Sequence, residues 1–272
     1  MGFSVNTNVG AMAALQSLNA TNKGLATTQS RINTGLSVAS TKDDSAAYTV
    51  AQTLRGDLGG LTAVNSSLSR AKSTVDVATA GAEQISDLVN QMKAKATEAS
   101  DAGLDADSRT ALGKDFDALK SQISTIIDSS EFNGTNLLKA SGGTVNALQS
   151  TDTTASTLDV ANQDFSAIVT AIGTTFSDAA TAKTMVGTLE TQAKAINGKL
   201  STLGAAGRKI EGQQSFISKL SDVIESGVGN LVDADLAKES ARLQALQVKQ
   251  QLGVQALSIA NQAPQTITSL FR

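Results

Sequence analysis

The stretch 61–96, LTAVNSSLSRAKSTVDVATAGAEQISDLVNQMKAKA, decides the fold. Leu61, Val64, Leu68, Ala71, Val75, Ala78, Ala82, Ile85, Val89, Met92 and Ala96 alternate spacings of three and four. That alternation holds one apolar seam on one side of a helix and leaves the other positions polar. The frame runs back to Leu54. Far downstream, Leu189, Ile196, Leu203, Ile210, Ile217, Ile224 and Leu231 fall at unbroken intervals of seven. Two long helices with narrow seams are expected, each wound around partner helices. A helix over most of Asp44–Ser100 would be about 80 Å long at a rise of 1.5 Å per residue. A compact domain of this chain length has a radius of gyration of only about 18–19 Å. The expected architecture is mainly α, an elongated antiparallel coiled-coil helical bundle.

Between the two heptad series, Leu112, Phe116, Leu119, Ile123 and Ile126 mark a third helix, with Asp105 or Ser108 as its N-cap. Ser100-Asp101-Ala102-Gly103 ahead of it reads as a helix stop. From Glu131 to about Ser177 the helical period fails. Phe132-Asn133-Gly134-Thr135 holds an Asn-Gly turn dipeptide, and Ser141-Gly142-Gly143-Thr144 and Ser150-Thr151-Asp152-Thr153-Thr154 are small and polar. Leu137/Leu138, Val145 and Leu158/Val160 are short apolar pieces expected to form hairpin strands. The segment 131–177 is thus a small β-rich or irregular insert, a β-hairpin between helical arms.

Both ends of the chain carry diluted helical stripes. Leu15, Leu18, Asn22, Leu25, Gln29, Ile32 and Leu36 form one, and Leu236, Leu243, Leu246, Val248, Leu252, Leu257 and Ile259 the other. A helix draws most of its stability from packing an apolar face. These two faces are weak, and the arms are expected to order only against each other or against neighbouring subunits.

The 272 residues include no His, no Cys, no Trp and one Pro. That removes the usual base at neutral pH, the thiol nucleophile and the commonest transition-metal ligands. With aromatic residues at 3%, little remains to line a substrate pocket. The expectation is a structural protein, not an enzyme, with no cofactor and no metal. Lys and Arg number 22 against 25 Asp and Glu, a net charge of −3, so no basic footprint invites nucleic acid or an anionic membrane. No stretch is apolar and long enough to span a bilayer. MGFSVNTNVGAMAALQSL lacks the basic start and continuous apolar run of a cleaved secretory signal.

Three motifs carry a family resemblance. Arg31-Ile32-Asn33-Thr34-Gly35-Leu36-Ser37 followed by Ala39-Ser40-Thr41-Lys42-Asp43-Asp44-Ser45-Ala46 resembles the N-terminal signature of bacterial flagellin. Asn230-Leu231-Val232-Asp233-Ala234-Asp235, Gln250-Gln251-Leu252-Gly253, Ala260-Asn261-Gln262-Ala263-Pro264-Gln265 and Leu270-Phe271-Arg272 resemble its C-terminus. Glu131-Phe132-Asn133-Gly134-Thr135-Asn136-Leu137-Leu138 is similar to a third landmark, at a helix-to-hairpin junction. Physically, Gly35 suits the left-handed end of a helix, and Ser40 to Asp44 offer oxygens to the start of the next one.

The resemblance implies a subunit that is exported unfolded through a flagellar type III apparatus and polymerises into the filament used for swimming. By analogy, residues 1–43 and 233–272 form the terminal coiled-coil layer of the filament core, and 44–232 form the helical bundle layer around it. Implied partners are further copies of the chain, sister flagellins, the export apparatus with its chaperone, and hook-associated and cap proteins. The implied location is outside the cell. The stretch Asn90 to Glu98 has Gln91 and Lys95 where the pattern read by the vertebrate flagellin receptor favours Arg and Leu, so the resemblance does not carry strong receptor activation over to this chain. A hook–filament junction protein of the same export family is one alternative, and a cytoplasmic coiled-coil binding module is another.

Candidate assembly residues are Leu15, Leu18, Leu25, Arg31, Ile32, Lys42, Asp43, Asp44, Arg55, Leu252, Leu257, Leu270, Phe271 and Arg272. Arg31, Lys42, Asp43 and Asp44 form a charged joint between layers, and Leu270, Phe271 and Arg272 a hydrophobic anchor with a terminal charge. Thr144, Thr151, Thr153, Thr154, Thr170, Thr174 and Ser177 are candidates for O-linked sugars on a filament surface.

Overall fold

A computed structural model describes residues 7–152, 156–173 and 176–270, with side chains of the last stretch through Gln262. Its elements in order are α1 (Val9–Thr34), α2 (Ser45–Ala99), α3 (Ala106–Ser129), β1 (Val145–Ala147), β2 (Leu158–Val160), α4 (Ser166–Ala171), α5 (Ala179–Val232) and α6 (Leu236–Leu270). The chain divides into two compact units, residues 1–56 with 223–272, and residues 57–222.

In the unit 57–222, the seam read from the sequence is the core. All eleven of its residues from Leu61 to Ala96 are buried, as are Leu189, Ile196, Leu203, Ile210 and Ile217. Lys72 of α2 pairs with Glu211 of α5 at 2.9 Å, and Lys93 with Glu190 at 2.8 Å, so the two helices run antiparallel. α3 packs back along α2, with Lys95 and Asp115 in an ion pair at 3.0 Å. Asp105 caps α3 by accepting from the backbone N–H of Ser108 at 2.8 Å. The stripe on α3 differs from expectation at its end, where Ile127 is buried and Ile126 only half-buried. The same slip occurs near the end of α5, in the other unit. Leu231 is 40% exposed, while Val232 is 1% exposed and packs with Val228 and Ala51. A straight helix turns every 3.6 residues, and a strict seven-residue step drifts off its buried face.

The insert is smaller in strand and richer in helix than expected. β1 and β2 pair antiparallel, with Val145 opposite Val160 and Ala147 opposite Leu158. Leu137 and Leu138 form no strand but are fully buried. Asn136, itself buried, holds this bend: its Nδ2 donates to the Ile127 carbonyl at 2.6 Å, and its Oδ1 accepts from Leu138 N at 2.9 Å. Asn133 and Gly134 both take positive φ, and Phe132 and Thr135 exchange two backbone hydrogen bonds of 3.0 Å, so the Asn-Gly dipeptide does make its turn. α4, six residues long, lies inside the insert and was not legible from periodicity.

In the unit formed by the two chain ends, α1 and α6 run antiparallel along each other. Asn8 Nδ2 donates to the Ala260 carbonyl at 2.6 Å, Gln250 Nε2 to Asn22 Oδ1 at 2.8 Å, and Arg31 Nη1 to Glu239 Oε1 at 3.2 Å. A Cβ placed on Gly253 would lie 3.2 Å from a methyl of Leu18, so the glycine lets the backbones close up. Leu36 and Asp233 bridge the two strands of chain just beyond, and Ser37 and Val38 both donate from their backbone to the Val232 carbonyl.

Candidate assembly interface

α1 ends where Gly35 turns left-handed, with φ of 73° and its N–H on the Arg31 carbonyl at 2.9 Å. The loop that follows is folded by its own carboxylates. Asp43 Oδ2 accepts from the backbone of Ala39 and Ser40 and from the Ser40 hydroxyl. The Ser40 hydroxyl first, then the Ser40 N–H, hold the Asp43 carboxyl below its ordinary value. Asp44 Oδ1 accepts from Ala46 N at 2.9 Å and Ala47 N at 3.0 Å, which starts α2. Asp235 does the same for α6 through Ala237 and Lys238. The joint is thus built of helix caps.

Arg31 finds its partner on the other arm. Its ion pair with Glu239 joins α1 to α6, and Asp43 feels Arg31 only as its weakest influence. Glu239 is buried, and among the described residues Glu239 Oε2 and Arg31 Nε have no hydrogen-bond partner. One bond, not a bidentate fork, holds this pair. Glu239 was missed in the sequence, where it stands alone in a Lys- and Gln-rich helix; its position opposite an arginine emerges only from the antiparallel register.

The paired arms use one face each. Leu18, Leu25 and Ile32 of α1 and Leu243, Leu246 and Leu257 of α6 are half-buried between them. The outer faces stay in solvent. Val9 is 73% exposed and Met12 63%, and with Leu15, Gln16, Asn19 and Lys23 they line a shallow groove. On α6, Val248, Leu252 and Ile259 stand exposed at spacings of four and seven, a second seam with nothing on it. Leu15 and Leu252 therefore lie on outer faces, while Leu18, Leu25, Ile32 and Leu257 lie on inner ones. Lys42, Asp43, Asp44 and Arg55 are exposed. Phe271, Arg272 and the side chain of Leu270 lie outside the described residues. Thr144, Thr151, Thr170 and Ser177 are exposed; Thr153, Thr154 and Thr174 also lie outside the description.

Among the described residues no group of three or more acidic residues could hold a metal ion, and no helix is long and apolar enough to cross a membrane. Each of the two arms thus keeps an exposed apolar face beside its paired one.

Known proteins match nearly the whole chain. Residues 5–143 match the bacterial flagellin N-terminal helical region, and 186–271 the bacterial flagellin C-terminal helical region. Flagellin FljK of Caulobacter vibrioides is 46% identical, with 99% of this chain and 98% of that protein covered. The flagellin of Brucella melitensis is 36% identical over 99% of each chain. Among solved structures, Bacillus cereus flagellin matches with a TM-score of 0.51 at 26% identity, over 54% of this chain and 86% of that one. A flagellar hook-associated protein from Vibrio parahaemolyticus shares the fold, with a TM-score of 0.58 at 11% identity, over 70% of this chain and 100% of that one. The chain belongs to the bacterial flagellins, the helical structural subunits that polymerise into the flagellar filament.

Proposed function

We propose that this chain assembles by covering the outer faces of α1 and α6 with the same helices of neighbouring copies. Residues 1–43 and 233–272 then form the filament core and 44–232 the layer around it. The observation that carries this is the exposed seam Val248, Leu252 and Ile259 beside the groove at Val9, Met12 and Leu15. A helix in a globular protein buries one apolar stripe, and each arm here has two. Leu15 and Leu252 are contacts between copies. Leu18, Leu25, Ile32 and Leu257 join the arms within a copy, and Lys42, Asp43, Asp44 and Arg55 frame the joint. Leu270, Phe271 and Arg272 anchor the C-terminal end.

The chain acts as a building block and not as an enzyme. It leaves the cell unfolded through the flagellar export apparatus with an export chaperone, and it meets cap and hook-associated proteins at the filament ends. Arms whose helices bury little in a single copy support this, since such helices unfold easily. Exposed Thr144, Thr151, Thr170 and Ser177, with Thr153, Thr154 and Thr174, are proposed O-glycosylation positions, and an intact mass equal to the bare chain would exclude them.

The test is sedimentation of purified chain. Leu15→Asp, Leu252→Asp and a chain lacking Leu270, Phe271 and Arg272 should each leave most protein in the supernatant, while hydrogen exchange of residues 57–222 stays as in the parent. Filament yields equal to the parent's for all three would overturn the proposal.

A further inference from the structure

The two arms are electrically one-sided. α1 holds Lys23 and Arg31 and no acid; α6 holds Lys238, Arg242 and Lys249 and one acid, Glu239, which Arg31 already occupies. The hydrogen bond between Gln250 and Asn22 puts Lys23 and Lys249 at the same level of the antiparallel pair. Both lysines are exposed, and no ion pair engages either among the described residues. Lys23 also closes one end of the apolar groove that begins at Val9.

Covering that groove with protein strips part of the water from Lys23 and from Lys249 beside it. A charge buried without a partner costs several kcal/mol, so a carboxylate must arrive with whatever covers it. Neither arm has one to give. The joint does. Asp43, Asp44 and Asp235 are spent on backbone N–H groups, whereas Asp233 is exposed and its carboxylate has no hydrogen-bond or ion-pair partner among the described residues. Asp233 sits level with Leu36, thirteen residues beyond Lys23, or about 20 Å at the helical rise.

We propose that the Lys23/Lys249 level of one copy receives the Asp233 carboxylate of a lateral neighbour, displaced by about 20 Å along the terminal helices. The occupant is a second copy because one chain carries both halves of the match: a groove ending in Lys23 with Lys249 level with it, and a free acid one offset away. Copies pointing the same way repeat this contact without closing on themselves, as a heterologous interface does. The proposal rests on the filament reading above and adds to it the axial offset between neighbours and the ion pair that sets it.

The experiment measures critical concentration by sedimentation for the parent, for Lys23→Glu with Lys249→Glu, for Asp233→Lys, and for all three together. Each partial reversal should raise the critical concentration at least tenfold, and the full reversal should return it to within about threefold of the parent. The parent's value should rise with added salt, since the pair is only partly shielded from solvent. Lys23→Gln with Lys249→Gln serves in place of any variant that loses helicity by circular dichroism, and should lie between parent and reversal. Parent-like polymerisation of the partial reversals, or a full reversal no better than its worse parent, overturns the ion pair and leaves the filament reading standing. A parent chain that never sediments overturns both.

Discussion

At the scale of single residues, the helix starts are set by carboxylates that titrate. Asp105 and Asp178 lie below their ordinary value, Asp105 because of the Ser108 N–H first and Asp178 because of the Thr181 N–H first. A depressed carboxyl stabilises the fold fully above its unfolded value, about 3.9, and that contribution is lost as pH falls through the lowered folded value. The first turns of α3 and α5 should therefore loosen only below about pH 4, seen as faster amide exchange at Ser108 and Thr181. Asp105→Asn keeps a cap but does not titrate, so the acid response at Ser108 should flatten. Arg31→Ala should destabilise the α1–α6 pair by about 1.5–3 kcal/mol, the range for a hydrogen bond to a charged group, and Glu239→Gln by less because an acceptor remains. Thermal unfolding followed by amide exchange in α1 would order the two. Gly35 and Asp105 were legible from sequence because their roles are local. Glu239 was not, because a partner 208 positions away is fixed only by the register of the paired arms.

At the scale of elements, the long helices are legible because their packing is nearly periodic. Every seam residue of α2 from Leu61 to Ala96 is buried, while Leu54 at the start of the frame is half-buried, and truncating a buried one should leave a hole. Leu68→Ala or Ile196→Ala should cost about 2–5 kcal/mol in denaturant unfolding of the unit 57–222. The tight places are where small residues permit contact. A Cβ on Gly81 would come 2.3 Å from the Ser130 hydroxyl and 2.9 Å from a Leu138 methyl. Gly81→Ala should therefore destabilise the same unit despite the better helix propensity of alanine, by about 1–3 kcal/mol as an overpacked core does. The endings were misread by one residue at Ile127 and Val232 because accumulated drift from a seven-residue frame shows only at the end of a long series. α4 was missed for a different reason. Six residues complete fewer than two turns, too few to show a period, and its burial rests on Phe165, Ile168 and Ile172 packing from an irregular loop. Lys199 donates to the Gln163 carbonyl and lies 5.7 Å from the Phe165 ring centre, a long-range tie with no local mark in the sequence.

At the scale of the whole molecule, folding is divided unequally between the unit 57–222, with its closed apolar core, and the paired ends, with half their apolar residues in water. Amide exchange should separate them. Residues 57–222 should show slow exchange in monomer and filament alike, while α1 and α6 should exchange fast in the monomer and become protected on polymerisation. Equal protection of the arms in both states would argue against assembly through their outer faces. The low aromatic content and missing His and Cys belong to this scale too. They lead to the expectation of a structural protein, but which arm residues stay exposed depended on the register of α1 against α6.

The small sheet has a use of its own. Ala147 and Leu158 join the two ends of the segment 148–157 by main-chain pairing, which depends little on the sequence between them. Each doubling of loop length should cost only about 0.6 kcal/mol. A foreign peptide spliced in beside Thr157 should therefore leave the denaturant midpoint of the unit 57–222 nearly unchanged, because the strand pair and not the inserted chain holds the ends together.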